Sequence, residues 1–318
     1  MAAAPLLIAA APLANPLRGQ RPVSVRVSAD NDGFNFWTPS WTRTDHEYTS
    51  GVWGTVEYAG PSSLLPLGFL RLPRCAASGC ATHTFTLGQS MYTGEAPQTV
   101  GVVPPAHPSL RENAAWLYVE AGERDSIGNA VNEYRLAAGV VGPPALGGPL
   151  QKFFHAIGPP YPPPVDWSTQ MPFEPGFIAT IGRTTTVARF GTPASAAGLV
   201  RTNLTGSVGT ILTGATAGAS TEVAVPVGPA ASNPIWPRVA LGAELVGHAV
   251  LRDEFLDGTF FSTSRHLAKN RLYDEERAFI ELRWARGTLA YRATRAGAQY
   301  ERQGGPMSWG TLYAEWRP

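Results

Sequence analysis

The stretch RVALGAELVGHAVLR, residues 238–252, repeats with a period of two. Leu241, Ala243 and Leu245 fall on one face of an extended chain and Glu244 on the other, because successive strand side chains point to opposite sides. A long strand with one apolar and one charged face is typical of outer-membrane barrels, whose outer wall meets lipid. A soluble sandwich also alternates, but its polar face points to bulk water.

The same alternation recurs along the chain and predicts about twelve strands, an even number that lets one chain close with both termini on the periplasmic side. We therefore expect an all-β fold, a closed antiparallel transmembrane β-barrel. The predicted strands lie near residues 23–30, 48–60, 83–92, 113–125, 130–142, 175–190, 197–212, 216–228, 238–252, 273–286, 288–301 and 308–316. A charge facing lipid at the midplane costs roughly 2–4 kcal/mol. Five glutamates opposite apolar faces should therefore face the lumen: Glu57, Glu133, Glu222, Glu244 and Glu281.

The composition agrees with a β-rich membrane protein. Apolar residues make up 44% of the 318 residues and charged residues only 15%, below the usual quarter of a soluble protein. No run approaches the ~20 apolar residues of a membrane helix. The 34 glycines and 29 prolines predict many turns. A formal net charge of +1 without a basic tract gives no reason to expect a nucleic-acid partner.

Two features indicate export. Residues 1–20 are apolar, rich in small residues and contain an A-x-A pattern at 9–11, which predicts a signal-like or disordered segment before a single barrel domain at 21–318. Cys75 and Cys80 are the two cysteines, and their close spacing suits a small disulfide loop on the periplasmic side. Two unpaired thiols are the alternative, since pairing does not follow from sequence.

The stretch GVVGPPALGGPLQKFFHAI, residues 139–157, combines a strand, a Gly/Pro break and a short helix. Gln151 and His155 stand four residues apart and share one helix face. A histidine beside a polar side chain is a candidate general base, although such a pattern alone is more often structural. The strand count sends this loop to the extracellular rim.

Three more polar residues fall at the same rim. Asn31 and Asp32 follow the first strand, and Thr49 begins the second. Asn-Asp-Gly at 31–33 is also a good turn sequence, and a threonine is common in any strand. His46, beside Asp45 and Glu47, has the makings of a metal ligand, but a solvated loop is the simpler interpretation.

Several segments together resemble the lipid A 3-O-deacylase (LpxR) family of outer-membrane barrels. They are NDGF at 31–34, DHEYTSG at 45–51, LGQSMYT at 87–93, AWLYVEAG at 115–122, GVVGPPALGGPLQKFFHAIG at 139–158, DWSTQMPFEPG at 166–176 and, more diffusely, FLDGTFF at 255–261. The resemblance covers nearly the whole chain after the first segment. It implies a barrel enzyme that removes the 3-O-linked acyloxyacyl chain of lipid A, with its active site facing the outer leaflet.

The resemblance also implies a calcium ion and a histidine-activated water. Asn31, Asp32 and Thr49 match the residues expected to hold Ca²⁺, Gln151 matches the helix glutamine, and His155 matches the base. Oxygen ligands and a Lewis-acidic cation suit ester hydrolysis. The implied partners are lipid A or lipopolysaccharide as substrate and the lipids of the outer membrane, with a monomer favoured.

Two departures from the family pattern keep other functions open. The resemblance leads us to expect an acidic residue soon after the histidine, but 159–161 reads Pro-Pro-Tyr. Asp166 or Glu174 would have to take that role. The chain ends YAEWRP, with Trp316 near the end in place of a terminal aromatic residue. The alternatives are a catalytically silent lipopolysaccharide-binding or structural barrel, and an outer-membrane phospholipase. A pore is disfavoured because a twelve-stranded barrel with charges inside should be largely filled.

Overall fold

A computed structural model describes residues 22–37, 47–60, 80–94, 109–157, 165–192, 195–227 and 237–318. Within those ranges twelve antiparallel strands close into one barrel, each paired with its sequence neighbours and the last with the first. They are β1 (Pro22–Asn31), β2 (Glu47–Ala59), β3 (Ala81–Thr93), β4 (Ala114–Ile127), β5 (Ala130–Val141), β6 (Glu174–Gly191), β7 (Ala197–Gly209), β8 (Leu212–Pro226), β9 (Arg238–Asp253), β10 (Leu272–Trp284), β11 (Gly287–Ala296) and β12 (Met307–Trp316). The predicted barrel is confirmed.

Two α-helices lie at one end of this barrel, where β1 ends and β2 begins. Helix α1 (Gly147–Ile157) follows β5, and the single turn α2 (Glu254–Asp257) follows β9. Short 3-10 helices span Asp32–Phe34, Pro143–Ala145 and Trp167–Thr169. We call this the helix end. The start of β1 and the finish of β12 lie at the opposite end. No helix in the described ranges has the length and apolarity to cross a membrane.

The barrel wall separates charged from apolar side chains as the alternation predicts. Arg283 contacts Glu222 and Glu281, and Arg277 contacts Glu244 at 2.9 Å. A central cavity of ≈ 510 Å³ is lined by polar side chains that include the other two predicted glutamates, Glu57 and Glu133. The outward positions carry exposed apolar residues: Val27, Val119, Ile181, Leu204, Leu241, Leu245, Leu251, Leu272, Ile280 and Leu289.

Apolar packing closes the lumen at the helix end. Trp116, Met171, Ile211 and Phe255 belong to one buried cluster. The ring of Phe255 stacks on the inward-facing Tyr92, with centroids 4.3 Å apart. Aromatic pairs at such distances add about 0.5–1.5 kcal/mol beyond their buried area. The segment between β9 and β10 therefore packs Phe255 into this mouth of the barrel.

Some boundaries differ from the sequence prediction. Strand β8 begins at Leu212, four residues before the predicted start. Strand β11 ends at Ala296, five residues before its predicted end. Tyr300, in the loop that follows, instead packs in a buried cluster with Leu256 and Leu267. Cys80, just before β3, is disulfide-bonded. Its predicted partner Cys75 and the predicted segment 1–20 lie outside the described residues.

Candidate functional site

Asn31 and Asp32 lie where β1 leaves the barrel. Asp30 lines the lumen, so Asn31 belongs to the outward-facing set, and it pairs with Ser50 of β2. The backbone N–H of Gly33 donates to Asn31 Oδ1 at 2.7 Å and to Asp32 Oδ1 at 2.8 Å. The Asp32 side chain is buried. The predicted turn therefore exists, and it holds an amide and a carboxylate side by side.

Thr49 stands at an irregularity in the β2–β3 ladder. Tyr48 pairs with Tyr92 and Ser50 with Met91, which leaves Thr49 as the additional residue. Its hydroxyl is hydrogen-bonded to the hydroxyl of Thr93, and both residues are buried. Bulges of this kind re-aim a side chain and are common beside active sites. Because Asn31 pairs with Ser50, the structure brings Asn31, Asp32 and Thr49 to one corner of the wall.

A buried ion pair anchors the start of β2. Glu47 is 1% exposed and accepts hydrogen bonds from Arg111 Nε at 2.8 Å and from the Tyr300 hydroxyl at 2.6 Å. Arg111 also donates to Gln299 Oε1 at 2.7 Å. The expectation that Glu47 lies in a solvated loop is therefore wrong, because a buried arginine neutralises it. Asp45 and His46 lie outside the described residues.

Helix α1 packs against the outside of the barrel wall. Ala145, just before the helix, and Trp167, in the 3-10 turn that follows it, are buried against Met91 of β3 and Ala115 of β4. Leu150 of α1 joins the same cluster, with the outward-facing Leu117 and Val140. Gln89, another outward residue of β3, donates from Nε2 to the carbonyl oxygen of Ala145. Backbone and apolar contacts thus fix α1 over β3, β4 and β5.

Gln151 and His155 lie on the face of α1 that meets this wall. They share that face with Gly147 and Gly148 by helical spacing, and a Cβ at either glycine would collide with Trp167. Gln151 is buried, and its Oε1 accepts the indole N–H of Trp167 at 2.8 Å. His155 is half-buried, and its Nδ1 atom is buried. The helix thus lies where the sequence predicts it.

Three residues of this region went unpredicted: Gln89, Thr93 and Trp167. Gln89 and Thr93 are only 7% and 1% exposed, although both occupy outward positions of β3. An uncovered polar side chain there would face lipid at a cost. A glutamine and a threonine among outward apolar residues are therefore a signal of protein cover that the sequence contains.

The side-chain oxygen atoms near Thr49 are of the types that bind a hard cation. Asn31, Asp32 and Thr49 offer amide, carboxylate and hydroxyl oxygens, which Ca²⁺ prefers over nitrogen or sulfur. In the described ranges, this corner included, no group of three or more His, Cys, Asp and Glu side chains is arranged to hold a metal ion. A cation here would have one side-chain carboxylate from this trio, so backbone carbonyls, water or substrate would complete the six to eight positions that Ca²⁺ takes.

Asp166 and Glu174, the two candidates for the missing acidic residue, are both hydrogen-bonded to loop residues. Asp166 is exposed and accepts from the backbone N–H of Ser168 at 2.9 Å and from its hydroxyl at 2.8 Å. These bonds lower the pKa of Asp166. Glu174 is fully buried and accepts the backbone N–H groups of Phe260 and Phe261 at 2.6 and 3.1 Å. Each carboxylate therefore fixes a loop.

A second buried carboxyl lies near Glu174. Glu254, the first residue of α2, has no solvent exposure. Burial, followed by the negative charge of Glu174, raises the pKa of Glu254 to about 7. Arg252 and Asp253 are the other charged groups that act on it. The helix end therefore contains a carboxyl group that titrates near neutral pH.

The comparisons with known proteins agree with this architecture. A family model described as outer membrane protein LpxR matches residues 1–318. The structure is similar to that of LpxR from Salmonella typhimurium, with a TM-score of 0.69 and 15% identity over 93% of this chain and 100% of that one. The β domain of the Bordetella autotransporter BrkA gives a TM-score of 0.47 and 7% identity, covering 94% and 100% of the two chains. No curated protein matches the chain. At 15% identity the similarity to the Salmonella structure shows the shared barrel fold alone.

Proposed function

The chain belongs to the LpxR family of outer-membrane proteins, and on that premise we propose that it is a lipid A 3-O-deacylase. This esterase removes the 3-O-linked acyloxyacyl chain of lipid A. The observation that carries the proposal is a set of polar side chains on the lipid-facing side of the wall, at its rim. Gln151 and His155 face this side from α1, and Thr49 and Asn31 lie on β2 and β1, one and two strands beyond β3.

The position suits an ester of a membrane lipid. Polar groups outside a barrel wall are costly unless they are covered and hydrogen-bonded. Here α1 provides the cover, and Trp167 and Thr93 provide hydrogen bonds to Gln151 and Thr49. The ester of lipid A joins a polar sugar to an apolar chain, so it matches a site at the same boundary. A pocket for a soluble substrate would more naturally open to water or the lumen.

His155 is the base of the proposed reaction. Its imidazole takes a proton from a water molecule whose oxygen attacks the ester carbonyl carbon. The tetrahedral intermediate then collapses, and the bond between the carbonyl carbon and the sugar oxygen breaks. The proton passes from the imidazole to the sugar oxygen. The products are a free fatty acid and a sugar hydroxyl. Gln151 is a positioning residue. Its carbonyl oxygen accepts the hydrogen bond from Trp167, which leaves its NH₂ group to donate a hydrogen bond to the substrate or to the attacking water.

Calcium is part of the proposal. Asn31, Asp32 and Thr49 would hold it, and when bound it would polarise the ester carbonyl as a Lewis acid. The backbone N–H of Gly33 donates hydrogen bonds to the side chains of Asn31 and Asp32, and these bonds restrain the two side chains. Restrained oxygen ligands raise affinity because less order has to be created on binding.

A catalytically silent lipopolysaccharide-binding barrel is the second candidate. The observation that favours it is the engagement of Asp166 with Ser168 and of Glu174 with Phe260 and Phe261. Both carboxylates are therefore engaged in hydrogen bonds with loop residues. A barrel of this kind would bind lipid A with the same rim and leave its ester intact.

Mass spectrometry of lipid A decides between the two. We expect lipid A from outer-membrane-competent cells that express the chain to lose the mass of the 3-O-linked acyloxyacyl group. Addition of a calcium chelator to isolated membranes should prevent the loss, and excess calcium should restore it. Unchanged lipid A in cells with a folded, surface-exposed barrel would favour the silent barrel. Cleavage of glycerophospholipid instead would indicate a phospholipase.

A further inference from the structure

The outer face of α1 is apolar. Phe153 is 50% exposed and Phe154 is 36% exposed, while Gln151, on the face that meets the wall, is 6% exposed. The two phenyl rings contact each other edge to face, with centroids 5.7 Å apart. Leu146, which precedes the helix, is 53% exposed. A helix on the water side of a protein normally has the reverse arrangement.

This apolar face continues the lipid-facing wall. Helix α1 covers the outward residues Met91, Ala115 and Val140 at the helix-end tips of β3, β4 and β5. Further along the same strands, away from the helix end, the outward residues are exposed and apolar. They are Leu87, Val119 and Leu136, exposed by 36%, 61% and 43%. The phenylalanine pair therefore extends the belt of these three residues toward the rim.

We propose that Phe153 and Phe154 insert among the lipid acyl chains of the leaflet at the helix end. The occupant of this surface is lipid, because the face is continuous with the wall that lipid already covers. Lys152 beside the pair is exposed, and its long side chain reaches back to the polar headgroups. The cleft between α1 and the wall then opens sideways to hydrocarbon. Resting on the proposed function, a lipid substrate enters that cleft by diffusion within the membrane.

Spin labels test the insertion without reference to activity. A nitroxide is attached to Phe153→Cys in protein reconstituted into lipid vesicles, under non-reducing conditions that keep the disulfide of Cys80. Val119→Cys is the lipid-facing reference, and Glu301→Cys, exposed in the loop after β11, is the water-facing reference. Dissolved oxygen collects in lipid and a nickel chelate stays in water. The ratio of their collision rates at 153 should match that at 119 and exceed that at 301 several-fold.

A ratio at 153 equal to that at 301 overturns the proposal, and so does protection from both reagents, which would mean protein cover. A second variant, Phe153→Ser with Phe154→Ser, tests lateral entry. We expect several-fold slower deacylation of lipid A in vesicles and a much smaller loss with detergent-dispersed lipid A. An equal loss in both would contradict lateral entry. If the unaltered chain deacylates neither form, the proposed function fails, whereas the collision ratios still decide the insertion.

Discussion

The outer surfaces of β3–β5 and of β7–β10 have the same alternation of side chains, but their outward residues differ in exposure at the helix end. On β7, β9 and β10 the outward residues Val208, Leu251 and Leu272 are exposed by 60%, 70% and 76%. On β3 the outward residues Gln89, Met91 and Thr93 are each less than a tenth exposed, and two of them are polar. We call these surfaces the bare wall and the covered wall.

The difference shows how a lipid-facing wall can contain a polar site. On the bare wall a polar outward residue would have lipid as its only neighbour. On the covered wall, α1 and Trp167 exclude lipid and supply hydrogen bonds, as Trp167 does for Gln151. Cover, and not a change of strand pattern, makes the polar site possible. The two walls can therefore be tested separately.

The largest effect should come from the covered wall. We expect His155→Ala to reduce lipid A deacylation about 10²–10⁴-fold, the usual contribution of a general base, without unfolding the barrel. Lipid A mass spectra give the activity, and the heat-dependent shift in gel mobility gives folding. His266→Ala, at an exposed histidine of the loop after α2, is the matched control and should retain activity. Full activity of His155→Ala would remove the histidine from the mechanism.

A charge on the bare wall should destabilise the barrel and leave the chemistry alone. Leu245 lies midway along β9, so Leu245→Arg is expected to lower the free energy of unfolding by about 2–4 kcal/mol. Ser220→Arg is the control, because Ser220 pairs with Glu244 on the inner face and the new charge meets a carboxylate. Urea titration in vesicles measures both. Equal destabilisation would mean that the outer face is not the lipid face.

Much of this architecture follows from the sequence. A period of two and a count of strands suffice for the closed barrel, because Glu57, Glu133, Glu222, Glu244 and Glu281 have no low-energy place except the lumen. The helix with Gln151 and His155 also follows, since its spacing is local. Whether Asp32 and His155 converge on one cleft stays a prediction.

The cover itself did not follow from the sequence. The contact of Trp167 with Gln151 joins residues sixteen apart, and that of Glu47 with Tyr300 joins residues 253 apart. Such contacts depend on where loops and strands meet in the folded barrel, which no local pattern encodes. The sequence around Glu47 consequently predicts a solvated loop, whereas the residue is buried.

A smaller effect concerns pH at the helix end. The pKa of Glu254 is raised to about 7, so the folded state binds its proton more tightly than the unfolded state. The contribution of this carboxyl group to the free energy of unfolding is therefore fully present below about pH 4.5. It is lost as the pH rises to about 7. The loss should be no more than about 3 kcal/mol, and less where water screens the carboxyl group.

Thermal unfolding between pH 5 and pH 8 measures this effect. Glu254→Gln should remove most of the pH dependence attributed to the helix end, because the amide does not titrate. Glu301→Gln, at an exposed position, should keep the dependence of the unaltered chain. Parallel pH profiles for all three proteins would show that Glu254 does not titrate in this range.

The smallest effect should come from the fit of α1 on the covered wall. A Cβ at Gly148 would lie 2.9 Å from Trp167 Cγ, closer than carbon atoms pack. Gly148→Ala should therefore strain the contact by about 1–3 kcal/mol, as overpacking does, and shift α1 and His155 together. We expect a moderate loss of deacylation and a small decrease in the unfolding temperature of the barrel, because Trp167 also packs on Met91 and Ala115. Gly54→Ala is the control, since a Cβ there meets no atom within 4 Å. If Gly148→Ala retains full activity, the alignment of α1 tolerates displacement, and the covered wall serves as a lipid shield more than as the mount of a catalytic group.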